Sequence, residues 1–319
     1  MYGVHLVHDA PAHRSQAVAG TVCRRKGGLG GTWHTESDGR NVRWLAHWAG
    51  DDCRFDLRAT GDVKFNSDFT DIASVANGGT FELTDVQGNT TRRLTMRPDG
   101  SGRLVRSYSV NGRDQAWDDQ GQRWLAEVLV ELDRMSGVGI DYRYGSLFAH
   151  GGARAVIDEA EKMTGDYPRG MYLRRLVDSA TLTDGEYQRV VGAASRDMSS
   201  DYERSRVLQT VLAKSPSSRE VARSAARAAG TFSSDYERSR VLLAAIDSKA
   251  LEGDDVISVI ETVARSSSDY EKARVLLAVA ARWTLTADSR KAYLRAADTI
   301  RSDYENRRVL SALVKQEAR

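Results

Sequence analysis

The chain has 319 residues, 41% of them hydrophobic and 28% charged, with a net charge of +2. That balance belongs to a folded globular protein and excludes a disordered chain. Basic and acidic residues are matched in both halves, 18 against 19 up to position 150 and 28 against 25 beyond it, so neither half is a polycation that holds phosphate backbones by charge alone.

Residues 1–30 read as a mobile tail and Gly-rich linker. The segment carries His5, His8 and His13 and runs into Gly27-Gly28-Leu29-Gly30-Gly31. It lacks the hydrophobic stretch of a signal peptide and the Lys-Ser/Thr ending of a phosphate loop. A tail without rigid structure does not preform a metal site, so neither metal nor cofactor is expected. The two cysteines, Cys23 and Cys53, match no metal spacing. They could bridge in an exported protein; a buried thiol at Cys53 and a free one at Cys23 is the expected state.

Residues 31–113 alternate with period two. Val42, Trp44, Ala46 and Trp48 share one face, as do Cys53, Phe55, Leu57 and Ala59, with Arg54, Asp56 and Arg58 opposite; this is the pattern of half-buried strands. Phe81 with Leu83, Leu94 with Met96, and Leu104 with Tyr108 continue it. Turn signals at Asp38-Gly39, Asn77-Gly78-Gly79, Gly88-Asn89, Pro98-Asp99-Gly100 and Asn111-Gly112 are close enough to predict antiparallel hairpins. A sheet or sandwich of about five to seven strands follows.

Residues 114–150 are expected to connect this domain to the rest through helices. Trp124, Leu125, Val128, Leu129, Leu132 and Met135 form one stripe, and Gly137 is a plausible stop. The stripe would pack on the sheet or on the first repeat.

Residues 151–319 are repetitive. Gly165-Asp166-Tyr167-Pro168 is followed by Ser-Asp-Tyr-Glu at 200–203, 234–237, 268–271 and 302–305, spaced by 35, 34, 34 and 34 residues. A fixed period of this size predicts a solenoid of about five helix pairs. Each serine is read as an N-cap, with the glutamate three residues on reaching back to its N–H as a capping box. Apolar columns recur at Val207, Leu208, Val211 and Leu212 and at their equivalents; a weaker helix precedes each start. The period resembles tetratricopeptide repeats, whose Trp-Leu-Gly-Tyr pattern is missing, so only a general HEAT- or TPR-like class is assigned. The fold class is therefore α+β, an antiparallel β domain followed by an α-helical solenoid.

The candidate binding surface is columnar. Arg206, Arg240, Arg274 and Arg308 stand in register, each three residues after a glutamate and four after Tyr202, Tyr236, Tyr270 or Tyr304. The arginines could grip an acidic partner or phosphates; matched acids favour a structural ladder. The tyrosines could be a stacking platform; packing between repeats is the expected role. A second column, Arg204, Arg238, Lys272 and Asn306, loses its charge at the end and is expected to face solvent. His34, His47 and His150 sit near no nucleophile signature. Asp51-Asp52 and Asp118-Asp119 read as solvated turns.

Gly31-Thr32-Trp33, Arg103-Leu104-Val105-Arg106-Ser107-Tyr108, Trp124-Leu125-Ala126-Glu127 and the Ser-Asp-Tyr-Glu repeats resemble a bacterial family in which a small β domain precedes helical repeats. Similar regions follow the membrane metallopeptidase domain of beta-lactam-sensor type proteins. The resemblance covers residues 31–319 and implies periplasmic or other extracytoplasmic sensing or partner binding; a native N-terminus as given would instead imply the cytoplasm. The peptidase His-Glu-x-x-His signature is missing, so protease activity does not carry over. The expected function is a non-enzymatic scaffold or sensor that binds a protein or peptide on the repeat surface. Binding of nucleic acid or another anionic ligand along the arginine columns is the first alternative, and an enzyme site at the junction of the halves, using Asp118 or Asp141, the second.

Overall fold

The computed structural model describes residues 30–37, 42–50, 53–215 and 217–317. The N-terminal tail with its histidines, Cys23, the Asp38-Gly39 turn and the Asp51-Asp52 pair lie outside them. The chain divides after residue 146 into two units.

In the first unit the alternating segments become β1 (Gly30–Ser37), β2 (Val42–Gly50), β3 (Cys53–Thr60), β4 (Val63–Phe65), β5 (Ile72–Val75), β6 (Thr80–Gln87), β7 (Thr90–Pro98), β8 (Leu104–Val110) and β9 (Arg113–Gln115). Seven form one antiparallel sheet in the order β1-β2-β3-β6-β7-β8-β9, and β4 and β5 pair separately. The turn signals set the register. Val110 pairs with Arg113, leaving Asn111 and Gly112 at φ 51 and 77, the positive values that a two-residue type I′ turn requires.

One face of the sheet is the core. Phe55, Leu57, Ala59, Phe81, Leu83, Leu94, Met96 and Tyr108 are buried there with the β4–β5 residues Val63, Phe65, Ile72 and Val75. Helix α1 (Asp119–Ser136) completes it with the stripe from Trp124 to Met135, so the stripe packs on the sheet. Asp118, expected in a solvated turn, is the N-cap of α1 and accepts from the Gln120 and Gly121 N–H groups. Gly137 ends the helix at φ 75, the left-handed conformation that glycine adopts without strain.

Asp85 is the exception in this apolar layer. It is fully buried and accepts from Trp124 Nε1 at 2.9 Å. Burial pushes its carboxyl above the ordinary 3.8, against the opposing pull of Trp124, Gln87 and Arg92. The folded state then holds this proton more tightly than the unfolded chain, so the group's contribution to stability falls as pH rises above 3.8. Thermal melts of Asp85→Asn against the parent are expected to shift in the variant's favour between about pH 4 and pH 7; a pH-independent difference would contradict the assignment.

Helix α2 (Ile140–Glu161) crosses the unit boundary and is interrupted at Gly152, φ 60 and ψ −153. The second unit continues with α3 (Asp166–Ser179), α4 (Asp184–Asp197), α5 (Asp201–Lys214), α6 (Arg219–Ala229), α7 (Asp235–Asp247), α8 (Asp255–Ala264), α9 (Asp269–Arg282), α10 (Ala287–Ala297) and α11 (Asp303–Glu317). The Asp-Tyr helices α3, α5, α7, α9 and α11 pack each on the next, and α4, α6, α8 and α10 pack on one another in the same order. The result is a two-layered stack of helix pairs, as the period predicts. Val207, Leu208, Val211, Leu212 and most of their equivalents are buried. On α11 the columns open: Val314 is 63% exposed where Ile246 is 2%. In the second layer Ala225, Ala229, Val259, Ile260, Val263 and Tyr293 are buried, while Leu294 is exposed. Among the described residues no helix is long and apolar enough to cross a membrane.

Candidate functional site

The Ser-Asp-Tyr-Glu starts lie in register along the α5, α7, α9 and α11 layer. Each serine caps its helix: the hydroxyls of Ser200, Ser234, Ser268 and Ser302 accept from the N–H groups of Glu203, Glu237, Glu271 and Glu305 at 3.3–3.4 Å. The expected return bond from glutamate to serine N–H is not the one that forms. The serine N–H donates instead to the aspartate of the preceding repeat: Ser200 to Asp166 at 2.6 Å, Ser234 to Asp201 at 2.8 Å, Ser268 to Asp235 at 2.9 Å and Ser302 to Asp269 at 2.9 Å. The residue before each serine adds its own N–H to the same oxygen at 2.7–3.0 Å. A carboxylate in the first turn of one helix thus satisfies the orphan donors of the next. The lock joins repeats, whereas a capping box would close within one. A complete capping box does occur on α4, between Thr183 and Glu186.

The other oxygen of Asp201, Asp235 and Asp269 meets the inward column. Asp201 pairs with Arg204 at 3.2 Å, Asp235 with Arg238, and Asp269 with Lys272 at 3.6 Å. Expected in solvent, Arg204, Arg238 and Lys272 are only 6%, 7% and 5% exposed. Arg204 reaches Thr231 Oγ1 at 2.5 Å and lies over the Phe232 ring. Arg238 donates to Ser266 Oγ and to the Phe232 carbonyl. Lys272 donates to the Thr299 carbonyl, and Asn306 to the Ala297 carbonyl. These groups end or follow helices of the second layer, where carbonyls lack helical partners. What the column conserves along its length is donor capacity, not charge. Burial pushes the Arg204 guanidinium below its ordinary value, against the pull of Asp201.

The outward column is different. Glu203, Glu237, Glu271 and Glu305 are buried and pair with Arg206, Arg240, Arg274 and Arg308 one turn on, at 3.5, 3.2, 2.8 and 2.9 Å. The same guanidiniums lie over Tyr202, Tyr236, Tyr270 and Tyr304, 5.5–5.7 Å from the ring centres. These are the i,i+3 and i,i+4 contacts that the spacing allows. The tyrosines, expected to pack between repeats, are 49%, 53%, 55% and 69% exposed. Placed at the second residue of each helix, the ring finds its partner on its own helix. The ladder starts at Tyr202, because Met171 stands where the first copy would carry the arginine beside Tyr167.

The structure therefore separates the candidates. Tyr202, Tyr236, Tyr270 and Tyr304 with Arg206, Arg240, Arg274 and Arg308 make an exposed ladder, each cation balanced by a glutamate. Arg204, Arg238 and Lys272 belong to the interior. Of the scattered histidines, His47 bonds Asp56 at 2.7 Å. Among the described residues no group of His, Cys, Asp and Glu is placed to hold a metal ion. Comparison with protein-family models, curated proteins and solved structures finds no match to this chain.

Proposed function

We propose that the helical array is a non-enzymatic recognition scaffold that binds a protein or peptide through its tyrosine–arginine ladder. One observation carries this reading: four tyrosines, each about half exposed or more, recur in register with a guanidinium over every ring. Tyrosine and arginine are the residue types that dominate binding hot spots, because a rigid amphipathic ring gives contact area for little lost side-chain freedom. A packing role supplies no reason to leave four large rings in water. The resemblance noted above adds an extracytoplasmic setting to this reading.

Peptides selected at random against the full chain test it. Their binding is expected to weaken by about tenfold or more in Tyr236→Ala/Tyr270→Ala, with unchanged circular dichroism because both rings are exposed. Selected peptides indifferent to the substitution would overturn the reading. The anionic-ligand alternative has less support, since each outward arginine already faces a carboxylate and the inward cations Arg204, Arg238 and Lys272 are buried. Tight binding of a random oligonucleotide that falls steeply with salt would favour it.

A further inference from the structure

The ladder offers an unbalanced set of polar groups, and that imbalance narrows its partner. Its outward groups are half-buried guanidinium N–H groups, which only donate, and tyrosine hydroxyls, which donate or accept, so donors outnumber acceptors. Its other acceptors, the carboxylates of Glu203, Glu237, Glu271 and Glu305, are buried and held by the arginines. A matching chain brings carbonyls to be satisfied and few N–H groups of its own. A proline-rich segment in the polyproline II conformation does so: proline has no N–H, and that helix makes no internal hydrogen bonds.

The pitch points the same way. α5, α7, α9 and α11 pack directly on one another, and packed helices lie about 8–10 Å apart, so the rings recur at about that interval. Polyproline II repeats every three residues with a rise of about 3.1 Å each, so equivalent positions lie about 9 Å apart on one edge. One proline would meet one ring per repeat. A β-strand covers a similar distance in three residues, but its side chains alternate, and every third residue faces the wrong way. An amphipathic helix meets the spacing every seventh residue, yet it needs a broad aliphatic groove. On α5, α7 and α9 the exposed large hydrophobic residues are the tyrosines alone.

We propose that the tyrosine–arginine ladder of α5, α7, α9 and α11 docks a proline-rich segment in the polyproline II conformation, with one ring taking one proline per turn. This rests on the ladder being the recognition surface. A fluorescein-labelled peptide of about twelve prolines spans four turns and is the probe, read by fluorescence anisotropy with the full chain. Saturable binding is expected, roughly tenfold weaker for a peptide of half the length and for Tyr236→Ala, and largely kept in Tyr236→Phe, which retains the ring. Binding no tighter than that of a Gly-Ser peptide of equal length, or equal binding by Tyr236→Ala, overturns the inference. So does an amphipathic helical peptide that binds where the proline peptide does not. If the proline peptide fails while randomly selected peptides still depend on Tyr236 and Tyr270, the polyproline idea falls and the recognition surface stands. If neither depends on the tyrosines, both fall.

Discussion

Replacing Ser239 by arginine is expected to force α7 and α9 apart and to destabilise the array by about 4 kcal/mol or more. Ser239 belongs to a column of small residues: Gly170, Ser205, Ser239 and Ala273. The last three have no exposed surface, and the Ser239 hydroxyl bonds the Glu271 carboxylate of the next repeat. At Gly170 even a Cβ would come within 2.9 Å of the Glu203 carboxylate and 2.8 Å of the Arg174 guanidinium. The column is small because the next helix lays its glutamate there. Overpacking such a site costs about 1–3 kcal/mol, and a guanidinium shut off from water adds to that. On α11 the same column holds Arg307, which is exposed. Arg307→Ser is therefore expected to change stability by no more than about 0.5 kcal/mol. Urea unfolding followed by far-ultraviolet circular dichroism distinguishes the two. Ser239→Arg should lower the midpoint or split the transition, since a solenoid is held by successive interfaces. A midpoint matching the parent would mean that the column is not a contact between repeats.

That column also shows what sequence pattern can and cannot reveal. The period, the helix starts and the buried runs from Val207 to Leu212 are local regularities, and the structure keeps them. So are the alternation of β3 and β6, the stripe on α1 and the stop at Gly137. The inter-repeat lock was less visible. The regularity of Asp201, Asp235 and Asp269 is plain, but their partners stand 32–33 residues away in the next repeat. Spacing alone cannot say whether a first-turn carboxylate serves its own helix or a neighbour's. The inward column is hard to place from sequence for a related reason. The column Arg204, Arg238, Lys272 and Asn306 loses its charge at the last position, which suggests solvent, yet all four donate hydrogen bonds, and donation is what the loop carbonyls and hydroxyls need. The tyrosines present the opposite case. A repeated ring in an apolar pattern suggests a core, but its i,i+4 arginine gives it a partner at the surface.

Asp235→Ala is expected to destabilise the array by about 3 kcal/mol, because it leaves a buried guanidinium without its counter-charge and two backbone donors without an acceptor. One carboxylate oxygen accepts from Ser267 N, Ser267 Oγ and Ser268 N at 2.7, 2.6 and 2.9 Å; the other meets Arg238, whose side chain is 9% exposed. The Nε of Arg238 has no hydrogen-bond partner, so the terminal nitrogens carry the whole burden of keeping that charge inside. Burial pulls the Asp235 carboxyl up, but the Ser267 hydroxyl, the Ser268 and Ser267 N–H groups and Arg238 outweigh it and hold the group at about 2, against 3.8 ordinarily. A depressed folded value means that the stabilisation is complete above 3.8 and lost as pH falls toward 2. The gap in urea midpoint between parent and Asp235→Ala should therefore be full at neutral pH and narrow between about pH 4 and pH 2. Asp235→Asn should fall between the two, since it keeps an acceptor for the backbone but not the charge. The decisive comparison is Asp235→Ala/Arg238→Met. If the stranded guanidinium is the main penalty, removing it as well should recover more than half of the lost stability. If the double variant is as unstable as the two single losses added, the aspartate acts through the backbone of the next repeat alone, and Arg238 is held in place by the Phe232 carbonyl and Ser266.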